Sequence, residues 1–358
     1  MKVLFVFYVP SGGVETLNRQ RCKALRSVGI EGHCLYYRPG SGMQNFGDIP
    51  SFLTNDDTQI RQLLSEHAYE AAVIVSDYWA LPRFRSLGFT GSLILEIQGL
   101  GSHAATRSIL TEAQPVVAKY AAGLLHPRTP HISALFDELY PQMPQFQFNN
   151  CLDTAEFSYR PSRPSAQPIL GWLGRLEDNK NWREFLQIGR LLIAQQFPTL
   201  RLWMCEDAEL SEQSERADFR QLVHQYGLGG NLKLFSNVPH SKMAAYFSII
   251  GDSGGMLCST SKTEGAPYSL LEAMSCRCPI VSSDTDGVFQ SILHNRTGKY
   301  YRLGNPEHAA EQITKLLKNR SLRERIRTTA LEHVQTNFSP QAYARNFVGM
   351  LQQLNVMA

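Results

Sequence analysis

Short strands that are apolar on both faces alternate with helical segments twice over, and a proline-rich break separates the two series. The break is TAEFSYRPSRPSAQP at 154–168, where Pro161, Pro164 and Pro168 deny both a helix and a central strand. Before it run a strand from Val3 to Tyr8, a PSGG loop, a helical pattern from Val14 to about Val28 stopped by Gly29, a strand near His33 to Tyr37, and the buried runs AAVIV (71–75) and LILEI (93–97). After it the pattern restarts with PILGWLG, the loop RLEDNKN, a helix from Trp182 to about Gln196, LRLWMC, a polar helix ending near Tyr226, NLKLF, a short helix, GGMLC, a helix from Pro267 and PIVSS. Strands buried on both faces need helices on both sides, which means parallel sheets. The 358 residues therefore predict two doubly wound α/β domains, 1–157 and 165–338, facing across a cleft, with a last helix at 340–358 packing back on the first. Ligands of such sheets lie outside the carboxyl ends of the strands, so the loops there should carry the chemistry.

Composition narrows the class. Hydrophobic residues make up 43% and charged residues 19%, with no apolar run of eighteen, so a globular chain without a membrane span is expected. The opening MKVLFVFYVP is cut at Pro10 and followed by SGGVE, which suits a buried first strand better than a secretory signal. Seven cysteines at 22, 34, 151, 205, 258, 276 and 278 form an odd set without disulfide or zinc spacing, so reduced thiols in a cytoplasm are expected. A net charge of +3 is too small to imply nucleic acid. It is uneven, however: residues 1–160 carry −1 and the rest +4, which places an anionic small molecule in the second half.

Loops after the strands have features suited to an anion. Gly12 and Gly13 lie between the first strand and its helix, where backbone N–H groups can approach a phosphate, although the GxGxxG spacing is absent and a plain tight turn would look the same. In GRLEDNKN, Arg175 offers a fork of donors and Lys180 a mobile point charge, together suited to a diphosphate or else two solvated cations. In TEGAPYSLLEAM, Pro267 suits a first helical position, which leaves the N–H groups of Ala266, Tyr268 and Ser269 and the positive end of the helix dipole facing an anion. Glu264 and Glu272 are acceptors that sugar or ribose hydroxyls would satisfy; a capping role for Glu264 and a surface charge at Glu272 are the plainer readings.

Together, Glu264-x7-Glu272 with CPIVSSD after it, GRL with Lys180 five residues on, PSGGVE, and FNNCLDTAEF (148–157) resemble the family 4 retaining glycosyltransferases of GT-B fold. Cys151 stands where that family has a glycine. The resemblance covers nearly the whole chain. It implies a nucleotide-sugar donor, with UDP and a hexose expected from family frequency, and no metal or other cofactor. Gly12, Gly13, Arg175 and Lys180 would meet the diphosphate, the Gly265, Ala266, Pro267, Tyr268 and Ser269 turn would lie beside it, Glu272 would hold ribose and Glu264 the transferred sugar. A glycan or lipid-linked acceptor would enter from the first domain, as in cell-envelope or exopolysaccharide synthesis. The family often has a histidine after the fourth strand of that domain; here Gln98 occupies the position and His103 follows five residues later, so either is a candidate to assist catalysis. Transfer would be front-side, with the departing phosphate assisting and fixed donors stabilising it.

Five other readings stand beside this one. A GT-B nucleotide-sugar epimerase would use the same cleft, and a non-catalytic nucleotide-sugar-binding homologue would keep the same residues. Asp284-Thr285-Asp286 is a D-x-D that holds a metal in another glycosyltransferase fold, although paired loop acids more often cap helices. GDSGG (251–255) mimics the nucleophile segment of chymotrypsin-like proteases, with Ser253 in the serine's place, but an α/β pattern is the wrong fold for that site. WALPRFRSLGF (79–89), with Trp79, Leu81 and Phe84 among Arg83 and Arg85, has the composition of an interfacial patch, which leaves a peripheral contact at the inner membrane face open alongside a partly buried loop.

Overall fold

A computed structural model of the protein describes residues 1–162, 165–208, 211 and 213–357, so Pro164 of the expected linker lies outside the described residues. The chain divides into two compact units, Met1–Asp153 with Asn337–Ala358, and Thr154–Thr336.

The first unit contains β1 (Lys2–Phe7), α1 (Gly12–Arg26), β2 (Glu31–Tyr36), β3 (Ser51–Leu53), α2 (Asp57–His67), β4 (Ala71–Val75), α3 (Ala80–Ser86), β5 (Ser92–Glu96), α4 (His103–Tyr120), β6 (Gly123–His126), α5 (Pro130–Leu139) and β7 (Gln145–Gln147). Its seven parallel strands run in the order β3-β2-β1-β4-β5-β6-β7. Val3 to Val6 of β1 and the whole of β4 are without solvent exposure, because helices cover both faces.

The second unit contains β8 (Ile169–Leu173), α6 (Trp182–Gln195), β9 (Arg201–Glu206), α7 (Gln213–Gln225), β10 (Leu232–Ser236), α8 (His240–Asp252), β11 (Met256–Ser259), α9 (Tyr268–Ser275), β12 (Ile280–Ser283), β13 (Lys299–Tyr301), α10 (Pro306–Lys318) and α11 (Arg320–Asn337). Six parallel strands run β10-β9-β8-β11-β12-β13. The core gathers Trp172, Trp182, Phe185 and Leu202 from strands and helices of this unit. The last helix, α12 (Pro340–Gln353), belongs to the first unit, where Phe347 sits 5.9 Å from Phe5 and Tyr343 lies 5.2 Å from Phe148. Strand order reverses direction between β1 and β4 in one sheet and between β8 and β11 in the other, and these switch points open crevices at the carboxyl ends.

The GDSGG segment is a structural knot. Ser253 ends α8, and its hydroxyl donates to the Ile250 carbonyl (2.6 Å) while accepting from the N–H groups of Ile169 (3.0 Å) and Gly255 (3.1 Å). A hydroxyl spent on three backbone groups is no nucleophile. A Cβ on Gly255 would lie 1.9 Å from the Ile169 carbonyl oxygen, so only glycine lets β11 start beside β8. Asp252 accepts from Tyr159 (3.0 Å) and pairs with Arg327 (2.8 Å).

One further reading is corrected. Leu81 and Phe84 are fully buried in the core, Arg83 is held by Asp57 and Asn55, and Arg85 by the carbonyls of Phe89 and Gly91, so the 79–89 stretch is an inward-facing helix rather than an interfacial patch. Trp79 alone of its apolar residues is largely exposed, at 60%. No helix among the described residues is long and apolar enough to cross a membrane. All seven cysteines are free and buried, and burial pushes the thiols of Cys151, Cys205 and Cys278 up to about 12.

Candidate functional site

The switch point of the second sheet lies where the loops after β8 and β11 meet, and side chains join those loops into one body. Leu176 is fully buried and anchors the first loop between exposed Arg175 and half-buried Lys180. Asn179 Oδ1 accepts from the N–H (3.1 Å) and hydroxyl (2.8 Å) of Thr263, its Nδ2 donates to the Thr263 carbonyl (3.2 Å), and its own carbonyl accepts from Lys262 N–H (2.8 Å). Trp172 Nε1 donates to Thr260 Oγ1 (3.0 Å), which donates to the Lys180 carbonyl (2.8 Å). The result is that Lys180 Nζ meets Glu264 Oε1 at 2.5 Å, with side chains only 24% and 12% exposed. Arg175 pairs with Glu177 at 3.1 Å near water, where such a pair adds little, so its guanidinium is easily released to a ligand.

The loop after β12 supports Glu264 from behind. A Cβ on Gly287 would lie 2.1 Å from the Glu264 carbonyl oxygen and 2.4 Å from that of Gly265, so the turn packs backbone on backbone. Asp284 Oδ1 accepts from Leu303 N–H (2.9 Å) and Ser283 Oγ donates to the Ser261 carbonyl (2.7 Å). The first acid of the D-x-D is thus engaged with backbone. Glu184 in the first turn of α6 accepts from Gly304 N–H (3.1 Å); burial raises its carboxyl above the usual range, and the hydrogen bonds of Gly304 and Asn181 pull it back.

Helix α9 starts at Tyr268, not at Pro267 as the sequence suggests. Pro267 is the cap residue, with φ −73° and ψ 108°, since its ring fixes φ while ψ remains extended. Half-buried Ala266 and Ser269 and buried Pro267 and Tyr268 form the turn after Glu264. One helical turn further, Glu272 is buried and its Oε1 lies 2.7 Å from His240 Nε2. His240 opens α8, and its ring lies 4.8 Å from that of Phe157, the last residue of FNNCLDTAEF.

In the first unit, α1 begins at Gly12, so Gly12 and Gly13 form its exposed first turn rather than the loop before it. Ser11, the cap residue, is extended and makes no side-chain cap, which leaves the helix start open. Gln98 is anchored: its Nε2 donates to Glu96 Oε1 (2.8 Å) and Asn150 Oδ1 (3.2 Å), and its Oε1 accepts from Asn150 Nδ2 (2.7 Å). Glu96 is in turn clamped by Arg21 at 2.6 Å, a fully buried guanidinium that also lies 3.9 Å above the Phe5 ring. Both amide hydrogens of Gln98 are therefore spent, and one acceptor lone pair is all it has left. His103 is exposed as the first residue of α4, with its ring stacked on His131 at 4.2 Å.

Lys180 and Glu264 are thus brought into contact, Glu272 is placed on the helix that follows, and Gln98 is locked. Asn179, Thr260 and Thr263 escape a reading of the sequence because short polar residues in loops carry no period, and His240 because nothing local to the start of α8 marks its partner 32 residues on. A groove of about 940 Å³ at the far end of α6, beside α10, is lined by Leu191, Glu311, Lys315 and Arg320; its Lys315–Glu311 pair (2.6 Å) is half exposed, lies one turn apart on a single helix and joins no two loops.

With these loops in view, the comparisons with known proteins fall into place. The family described as glycosyl transferases group 1 matches residues 153–333, and the chain belongs to that family. Among curated relatives, the capsular polysaccharide biosynthesis glycosyltransferase CapM of Staphylococcus aureus is 21% identical over 173 residues, 48% of this chain and 43% of CapM. The alpha-D-kanosaminyltransferase of Streptomyces kanamyceticus is 22% identical over 190 residues, 53% of this chain and 47% of its own. The matches therefore span less than half the length of those relatives. Anabaena HepE, solved in complex with UDP and glucose, superposes with a TM-score of 0.83 at 17% identity, covering 99% of this chain and 100% of HepE. That likeness is one of fold, and the fold is GT-B.

Proposed function

We propose that the chain is a retaining glycosyltransferase that moves a hexose from UDP to a glycan or lipid-linked acceptor in cell-envelope or exopolysaccharide synthesis, without a metal. The observation that carries this reading is the Lys180–Glu264 contact at the switch point of the second sheet, where a cation for a diphosphate and a carboxylate for sugar hydroxyls are held 2.5 Å apart. In this reading the donor inserts between them: Lys180 and Arg175 take the diphosphate with the α9 turn (Gly265, Ala266, Pro267, Tyr268, Ser269), Glu264 orients the transferred hexose and Glu272 receives ribose hydroxyls. Fixed donors stabilise the departing diphosphate without reorganisation, which is the electrostatic contribution such a reaction needs. His103, exposed and with a titratable ring, suits the acceptor side better than Gln98, whose amide hydrogens are spent on Glu96 and Asn150. The UDP and glucose bound by HepE support the choice of donor.

The test is a thermal-shift panel of UDP-, GDP- and ADP-sugars, followed by mass spectrometry and NMR of products formed on glycan and lipid-linked acceptors. Stabilisation by a UDP-hexose and a product of retained configuration are expected, with full activity in EDTA. Epimerised donor without transfer would replace this reading, and binding without either product would leave a sensor. Activity abolished by EDTA and restored by manganese would overturn the metal-free site in favour of Asp284 and Asp286.

A further inference from the structure

His240 has no role in any step described so far, yet it is the only hydrogen-bond partner of the Glu272 carboxylate among the described residues. Nε2 lies 2.7 Å from Oε1, and the two side chains are 18% and 5% exposed. A carboxylate only accepts, so the imidazole nitrogen is the donor. The ring is held on its other flank by Phe157, and Pro239 caps the helix that His240 opens. A flexible side chain is thereby fixed at one of its two oxygens, while Oε2 keeps its lone pairs. Oε2 has no hydrogen-bond partner among the described residues and is not one of the oxygens sealed from solvent, so it is a fixed acceptor open to a donor from outside the protein.

We infer that His240 is a positioning residue: by holding Oε1 it aims Glu272 Oε2 at the vicinal ribose hydroxyls of the donor nucleotide. The inference rests on the nucleotide-sugar reading above and adds to it the group that sets the geometry of ribose recognition. Two adjacent O–H donors match one carboxylate oxygen and its remaining lone pairs, and an acceptor already fixed by packing gives up less freedom on binding. Ribose is remote from the bond that breaks. Losing its contacts should therefore weaken donor binding with little change in the chemical step, so KM rises while kcat stays nearly constant.

The experiment is calorimetric binding of UDP, GDP and their 2′,3′-dideoxy counterparts to the full chain as wild type, His240→Ala, His240→Gln and Glu272→Gln, with donor KM, kcat and Tm for each. Wild type should prefer the ribose-bearing nucleotide. In His240→Ala that preference should fall about tenfold, through weaker binding of the ribose form alone, as expected for loss of one charge-assisted contact. His240→Gln, which keeps an N–H donor, should recover much of it, and Glu272→Gln should remove it. A merely structural histidine would weaken both nucleotides alike and lower Tm, and that result overturns the inference. So does unchanged discrimination in His240→Ala when Glu272→Gln has lost it. Wild type that binds neither UDP nor GDP brings down the donor reading itself, and this inference with it.

Discussion

At the switch point of the first sheet, between β1 and β4, the loops carry Tyr8 and Asp77; at that of the second, between β8 and β11, they carry Lys180 and Glu264. In the first, burial raises the Asp77 carboxyl above the usual range, the Tyr8 hydroxyl donates to the Ser76 carbonyl (3.4 Å), and Ser76 is left-handed at φ 60°. The nearby Arg83 is committed to Asp57 and Asn55. In the second, cation and carboxylate are joined directly and their loops are tied by Asn179 and Thr260. The strand order around the two points is alike, so the difference lies in what the loops deliver: acceptors among phenols in one, a cation beside a carboxylate in the other. A parallel sheet supplies the crevice, and the loop residues decide whether hydroxyls or phosphates suit it.

Breaking the second switch point should have the largest effect. Glu264→Gln should lower kcat about 10²- to 10³-fold, as removal of a fixed electrostatic group does elsewhere, while Lys180→Ala should weaken donor affinity about 10²-fold; unchanged donor affinity by calorimetry in Lys180→Ala and Arg175→Ala would remove the diphosphate assignment. Next comes Gly287→Ala, whose Cβ must displace the Glu264 and Gly265 carbonyls. We expect at least a tenfold loss of kcat/KM, because small misplacements of a site are costly, and a variant of full activity would mean that the 264–265 backbone is free to move. Asn179→Ala unties the two loops and should cost about 1–3 kcal/mol of stability in denaturant titration, since it strips three half-buried groups of Thr263 of their partner.

Ser253→Ala should cost a similar amount, about 1–3 kcal/mol, yet leave turnover at saturating donor unchanged; loss of all activity in a folded variant would revive the protease reading. The smallest effect belongs to the first switch point. Asp77 has a raised folded-state pKa, so the folded state binds more protons than the unfolded state just above about pH 4, and stability falls as pH rises through that window. Asp77→Asn removes this slope. Its Tm should therefore gain on wild type between pH 4 and pH 7, and a difference that stays flat would show that burial does not raise the Asp77 carboxyl.

Much of this was legible because burial on two faces leaves a mark in the sequence. AAVIV can only be a central strand of a covered sheet, and it is wholly buried as β4. Elements with weaker marks, such as β3, β7 and β13 at three residues each, have too few positions for any period to emerge. Pro267 was misplaced by one position because a proline fits both the cap and the first helical residue, and ψ decides between them. The 79–89 stretch misled because composition does not reveal direction: Leu81 and Phe84 point inward, and the arginines between them find partners on neighbouring segments. GDSGG misled in the opposite way, since a hydroxyl that ties three backbone groups has the same letter as one that attacks a carbonyl.

By itself the sequence determined two covered parallel sheets and the order of the loops that matter, because those follow from local hydrophobic pattern and from glycine and proline. Tertiary structure alone decided that Lys180 meets Glu264, that Glu272 answers to His240, and that Gln98 is locked by Glu96 and Asn150. The first two join residues 84 and 32 positions apart in the chain. Such pairs depend on the strand order that brings two loops side by side, and strand order is a property of the whole folded sheet rather than of any segment within it.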